Sequence, residues 1–153
     1  MNNFQSASLS TPVELTIGCK KLRNADTFSK SDPFVVLFSF DNNKWHEIGR
    51  TEVIMDNLNP EFATKFKVDY RFETQQKFKF AVYDQDSNDR NLKNHDFLGH
   101  CFTTLGEIVG ASNGKHNRQL LRDLCIFRSL DRDHFWYVGY KSDKFLTFLN
   151  YNH

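Results

Sequence analysis

The chemistry-bearing side chains of this sequence are acidic and come in two groups. The stretch DTFSKSDPF, residues 26–34, sets Asp26 and Asp32 six positions apart in a short Ser-containing loop with apolar runs on both sides. One aspartate can close a turn through its own side chain, but two in one loop repel each other unless something positive lies between them. A second polar stretch, DQDSNDRNLKNHD, residues 84–96, opens with Asp84 and Asp86 after an apolar run and ends with Asp96 before another. If both loops lie at one end of a fold, Asp26, Asp32, Asp84, Asp86 and Asp96 gather into a single cup. Carboxylates held that close raise one another's pKa and cannot all stay ionised without a counter-charge. A hard, multivalent cation supplies one. Calcium takes about six to eight oxygens in flexible geometry that irregular loops can provide, whereas magnesium demands a tighter octahedron. Calcium is the expected ion.

Asp84, Asp86 and Asn88 imitate the opening of an EF-hand loop, but that reading fails. Asp89 stands where the loop needs glycine, His95 stands where it needs glutamate, and the flanks have strand character. Asp89 is expected as solvated loop and His95 as a structural residue.

The elements that must position these loops are strands. Val13, Leu15, Ile17 and Cys19 alternate with Glu14, Thr16 and Gly18, the period of a half-buried strand. PFVVLFSF, 33–40, is apolar on both faces at its start, as an interior strand is. Asp41-Asn42-Asn43 marks a turn, WHEIGRTEVI, 45–54, a return strand, and Asn57-Leu58-Asn59-Pro60 a break. Further strands are expected from Phe62 through Tyr70, around Phe78, Phe80 and Val82, and from Phe97 onward. Thr104 and Glu107 have the spacing of a capping box and predict one short helix over 104–109. Sixteen phenylalanines and 15% aromatic residues suit a thick interior between sheets. The expected fold is all-β, an eight-stranded antiparallel β-sandwich.

Composition narrows the function. At 153 residues one domain is expected, and a formal charge of +1 gives no global field that argues for nucleic acid. Cys19, Cys101 and Cys125 are far apart and the six histidines have no paired ligand spacing, so buried free thiols in a reducing compartment are expected rather than a zinc site or disulfide framework. MNNFQSASLSTP lacks the pattern of a signal peptide, and no run reaches the length of a membrane span. A cytoplasmic protein with at most peripheral membrane contact is the expectation.

DTFSKSDPF after a strand, then Asn59-Pro60 with Phe62, then AVYDQD and HDFLG, together resemble a C2 domain. The wording VELTIGCKKLRNADTFSKSDPFVVL, IGRTEVI, LNPEF, VDY, LKNHDFLG and TLGEIVG is similar to the first C2 domain of the copine family, from about Val13 to about Ala111. The resemblance implies that Asp26, Asp32, Asp84, Asp86 and Asp96 ligate calcium and that the domain binds acidic phospholipid when calcium is present. It also implies the circular permutation, called type II, whose first strand feeds the first calcium loop. Phe28 and Leu92 are candidates for insertion among lipid headgroups, and Lys30, Arg90 and Lys93 for attraction of about 1 kcal/mol each to an anionic surface. Lys65, Lys67, Lys77 and Lys79 are expected as solvated strand faces. Nucleophile signatures are missing and the acids lie in open loops, so no enzyme is expected. The competing reading is a protein–protein interaction module, either calcium-regulated, with loops that calcium merely rigidifies, or calcium-independent.

Residues 1–12 are expected as an extension, 13–125 as the C2 domain and 126–153 as a tail that departs from the family. The family's eighth strand is not recognisable in that tail. Two readings stand: HFWYVGY, 134–140, fills the gap with FLTFLNY paired to it, or the tail is an ending unrelated to the fold.

Overall fold

A computed structural model describes residues 10–111, 115–121 and 145–151. Its elements are β1 (Ser10–Lys20), β2 (Pro33–Asp41), β3 (Lys44–Arg50), β4 (Phe66–Arg71), β5 (Lys77–Asp84), β6 (Asp96–Thr104), α1 (Leu105–Val109), β7 (Lys115–Gln119) and β8 (Phe145–Tyr151). They form two four-stranded antiparallel sheets, ordered β4-β1-β8-β7 and β3-β2-β5-β6. This is the all-β sandwich with one short helix that the alternating pattern predicts.

Period-two alternation decides the layers. Val13, Leu15, Ile17 and Cys19 of β1 are buried, and so are Phe78, Phe80 and Val82 of β5 on the facing sheet. Val35 and Leu37 of β2, Leu98 and Cys101 of β6, and Leu105 and Ile108 of α1 join the same core. Burying side chains of this size stabilises by about 1.5–3 kcal/mol each, and their interdigitation fixes which loops share an end. At α1, Thr104 Oγ1 accepts from the Glu107 amide while the Glu107 carboxylate accepts from the Thr104 amide, the predicted capping box.

Two strand expectations are corrected. The return strand ends at Arg50 rather than continuing to Ile54, and the following strand begins at Phe66 rather than Phe62. Beyond Arg50 the Thr51 and Ile54 amides still bond the Val35 and Pro33 carbonyls, and the late start of β4 traces to one side chain. The Glu52 carboxylate accepts from the Ala63 and Thr64 amides and from the Thr64 hydroxyl, so amides that a ladder would use are taken by a side chain. Phe62 still enters the core, held by its amide on the Ile17 carbonyl.

In the tail, Phe145–Tyr151 forms β8, which pairs with β1 from Glu14↔Tyr151 to Lys20↔Phe145 and with β7 from Lys115↔Leu149 to Gln119↔Phe145. The candidate strand at 134–140 lies outside the described residues.

Candidate functional site

The antiparallel ladder brings the acidic loops to one rim. β5 ends at Asp84 directly opposite Asp96, where β6 begins, and Pro33 at the start of β2 pairs with Asp84 on its other side. The first loop, 21–32, and the third loop, 85–95, therefore rise from adjacent strand ends. A bulge sharpens the placement: Val82 pairs with Gly99 but Tyr83 with Phe97, leaving Leu98 as the extra residue. Gly99 has φ of +152°, and a Cβ there would come within 3.3 Å of Leu120 Cβ and the Leu121 carbonyl oxygen. Only glycine suits that backbone. The bulge sends Leu98 into the core and lets Asp96 face Asp84.

Four of the five carboxylates are tied into the loops by one oxygen. Asp84 Oδ1 accepts from the Asp32 amide at 2.5 Å, Asp32 Oδ1 from the Asp56 amide at 2.7 Å, and Asp86 Oδ2 from the Asp96 amide at 2.7 Å. Asp26 Oδ2 accepts from the Ser29 hydroxyl at 2.8 Å. As the side chains lie, no three carboxylate, imidazole or thiol groups among the described residues converge as an ion-holding cluster. Each of these four carboxylates has spent an oxygen on a backbone amide or a hydroxyl.

Asp84 is the exception within the group. It is buried, and its Oδ2 has no hydrogen-bond partner among the described residues. Burial pushes its carboxyl above the ordinary value, and the neighbouring charges of Asp26 and Asp86 push the same way, against the hydrogen bond from the Asp32 amide and the nearby Ser31 hydroxyl. A buried, unpartnered carboxylate oxygen beside two further anions is costly. A calcium ion fits this need: the donors are all carboxylate oxygens, the type that calcium selects.

The third loop is built by Asp89, expected as solvated loop, and by His95, expected as structural. Asp89 Oδ1 accepts from the Asn91 amide and Oδ2 from the Asn94 side chain, so Asp89 organises the loop rather than merely being solvated by it. His95 is buried; its Nδ1 accepts from the Asp86 amide at 3.3 Å and its Nε2 lies 2.8 Å from the Asp89 carbonyl oxygen. Asn91 caps the 3-10 turn Leu92–Asn94 through the Lys93 amide.

Of the candidate lipid-facing residues, Phe28 is fully exposed at 102%, and Lys30, Arg90 and Lys93 are exposed; Leu92 is half-buried. The second loop, 51–65, adds two residues that sequence reasoning passed over. Met55 is 68% exposed, and Asp56, at φ of +53°, donates its amide to Asp32 and accepts from the Lys30 amide at 3.0 Å. An apolar Met inside a polar turn was the available signal. Lys79 corrects the expectation of a solvated lysine face: it is half-buried, with Nζ 4.3 Å from the centroid of the Phe38 ring.

Comparison with known proteins agrees with this architecture. The C2 domain family model matches residues 14–121. Nicotinic receptor-associated protein 1 of Caenorhabditis briggsae is 38% identical over 124 residues, a match covering 69% of this chain and 20% of that protein. The chain thus spans about a fifth of the length of this curated relative. Among solved structures, a C2 domain of plant extended synaptotagmin 1 superposes with a TM-score of 0.62 at 23% identity, covering 91% of this chain and 92% of that one. The calcium-bound pair of C2 domains of extended synaptotagmin 2 gives 0.51 at 18% identity, covering 93% of this chain and 47% of that one. With the family model matching most of the chain and the same sandwich in both solved relatives, this chain belongs to the C2 domain family.

Proposed function

We propose that this C2 domain binds anionic phospholipid membranes in a calcium-dependent manner, as a recruitment module of copine type, and that it is not an enzyme. The observation that carries the reading is Asp84, whose buried, unpartnered Oδ2 lies among the charges of Asp26 and Asp86. Asp26, Asp32, Asp84, Asp86 and Asp96 would hold the ion. When bound, calcium supplies positive charge at a rim otherwise negative and coordination positions open to lipid phosphate oxygens. The chain's own residues do the rest. Asp84 and Asp32 lock the first loop to β5, and Asp56 locks the second loop to the first. Phe28 and Met55 offer apolar surface from those two loops, with Leu92 on the third. Lys30, Arg90 and Lys93 add cationic groups around them, each worth about 1 kcal/mol near an anionic surface. In this reading the protein resides in the cytoplasm and moves to membranes as calcium rises.

The copine assignment is supported by the run of matching segments from Val13 to Ala111, and calcium dependence by the five aspartates together with a calcium-bound relative of the same fold. Calcium titration by calorimetry, paired with sedimentation on vesicles containing phosphatidylserine, tests it. The parent chain is expected to release or absorb heat and to sediment only with calcium; Asp32→Asn with Asp86→Asn is expected to do neither. Equal heats from parent and variant, or sedimentation indifferent to calcium, would overturn the proposal.

A further inference from the structure

The edge strand β3 carries an irregularity that re-aims one of its side chains. Leu37 pairs with Gly49 but Phe38 with Glu47, so Ile48 is left over as a bulge. Residues three apart in a regular strand point to opposite faces. Here Glu47 pairs with Phe38 and Arg50 with Val36, two residues on one face of β2, so the bulge brings Glu47 and Arg50 to the same side. They meet there as a two-point fork, with Arg50 Nε donating to Glu47 Oε1 at 2.7 Å and Nη2 to Oε2 at 3.0 Å. Such a fork fixes the plane of the guanidinium. The remaining terminal nitrogen, Nη1, donates to the Arg90 carbonyl oxygen at 2.8 Å, forty positions along the chain.

Arg90 stands at the middle of the third loop, 85–95. The ends of that loop are held by the Gln85 amide on the Asp32 carbonyl oxygen and by the His95 ring, edge-on to Phe34 with centroids 5.2 Å apart. Its interior is laced by Asp89, Asn91 and Asn94. An open cleft of about 370 Å³ is lined jointly by Arg50, Thr51, Asn88, Asp89 and Arg90, so close packing does not seat the middle of the loop against β3. The guanidinium does. Asp86 and Asp96 flank this loop, and a loop fixed beforehand loses less conformational entropy when an ion arrives.

We propose that Arg50 is a positioning residue for calcium, an inference that rests on the calcium-binding reading. Its guanidinium, oriented by Glu47, tethers the middle of the third loop and so keeps Asp86 and Asp96 in register with Asp84. Lysine does not substitute for it. An ammonium is a point charge without the planar fork that meets the Glu47 carboxylate and the Arg90 carbonyl together.

The test uses the full chain and reads the tether and the ion separately. With calcium chelated, NMR order parameters of the Asn91, Lys93 and Asn94 amides are expected to fall in Arg50→Ala. Those of Lys30 and Asp56, in the first and second loops, are expected to stay at the parent level. By calorimetry, the calcium dissociation constant of Arg50→Ala is expected to be about tenfold higher, as loss of one hydrogen bond from a charged group implies. Arg50→Lys is expected to lose nearly as much, and Glu47→Gln, which leaves Arg50 in place but frees its plane, severalfold. Guanidinium chloride at tens of millimolar is expected to restore most of the affinity of Arg50→Ala, and ammonium chloride at the same ionic strength none. A residue that merely supports the fold would not discriminate between those salts. Should Arg50→Ala melt far below the parent in chelator, Glu47→Gln and Arg50→Lys carry the comparison. Unchanged order parameters in the third loop would overturn the tether. Parent-like calcium affinity in these variants, or equal restoration by both salts, would overturn the positioning role. A parent chain that takes up no calcium would overturn the calcium-binding reading and this role with it, and the order parameters, read without calcium, distinguish that failure from a failed tether.

Discussion

Asp84 holds together two demands that pull in opposite directions. Its Oδ1 anchors the first loop through the Asp32 amide, while its Oδ2 is buried without a partner and its carboxyl is pushed up by burial and by Asp26 and Asp86. An acid whose folded pKa exceeds its unfolded value costs stability once pH rises above the ordinary value, 3.8 here, and on through the raised one. Asp84→Asn keeps an acceptor for the Asp32 amide and removes the charge. It is expected to stabilise the metal-free protein at neutral pH by about 1 kcal/mol, raising the melting temperature by about 2–4 °C, and to abolish any further rise on adding calcium. Differential scanning calorimetry with chelator and with calcium reads both effects. Glu107 runs the other way. Desolvation opposes its ionisation, yet hydrogen bonds from the Thr104 amide, Arg118 and the Thr103 hydroxyl together hold it down at about 2. Its contribution is complete above the ordinary 4.5 and lost as pH falls toward about 2. Glu107→Gln is expected to lower the melting temperature at pH 7 and to flatten the acid-induced loss between those values, by a modest amount because the pair with Arg118 is solvent-screened. Burial also pushes Cys101 up to about 12 and Cys19 further, so native labelling with iodoacetamide at pH 8 is expected to spare both and unfolding to expose them.

Between these residues and the fold stand the elements that aim them, and here legibility in the sequence was uneven. Strands with period-two alternation were readable directly: β1, β2, β5 and β6 lie where the pattern put them, since apolar burial against a facing sheet is local information. So was α1, because its cap is written in two side chains three residues apart. The start of β4 was not, because Glu52 takes the amides of Ala63 and Thr64 across eleven and twelve positions, a contact no local pattern announces. The architecture of the third loop was hidden in part: Asp89 looks like solvated filler until its bonds to Asn91 and Asn94 are seen, while His95 is structural as expected. That the two acidic loops share one end was expected from the assumption that loops at one end of a sandwich cluster, and the pairing of Pro33 and Asp96 with Asp84 places them there, while no three of the carboxylates converge among the described residues. The bulge at Gly99 is the device that makes this pairing possible. Gly99→Ala meets both a positive φ and contacts of 3.3 Å, so a loss of about 1–3 kcal/mol is expected. Chemical denaturation measures that loss, and calcium affinity is expected to fall with it as Asp96 shifts against Asp84.

At the scale of the whole molecule, one sheet carries the loops and the other closes the core. The strands of β3-β2-β5-β6 all lie within 33–104, interrupted by β4 of the other sheet, whereas β4-β1-β8-β7 also joins the start of the described chain to its end. β8 lies between β1 and β7 and supplies a partner to both. Ending the chain after Leu121 would therefore remove β8 alone and leave both β1 and β7 without that partner. Such a variant is expected to lose cooperative thermal unfolding and to aggregate, read by circular dichroism and light scattering, because bare strand edges template association; a monomer melting like the parent would contradict this role for β8. The same insertion has a consequence for biosynthesis. While the ribosome is still adding residues beyond Leu121, the sheet bearing the acidic rim has all its strands, but β1 waits with one flank open for a neighbour more than a hundred positions downstream. Until Tyr151 emerges, any extended segment nearby can occupy that berth, so faithful maturation depends on how quickly translation passes Tyr151 or on a chaperone that shields the opening meanwhile.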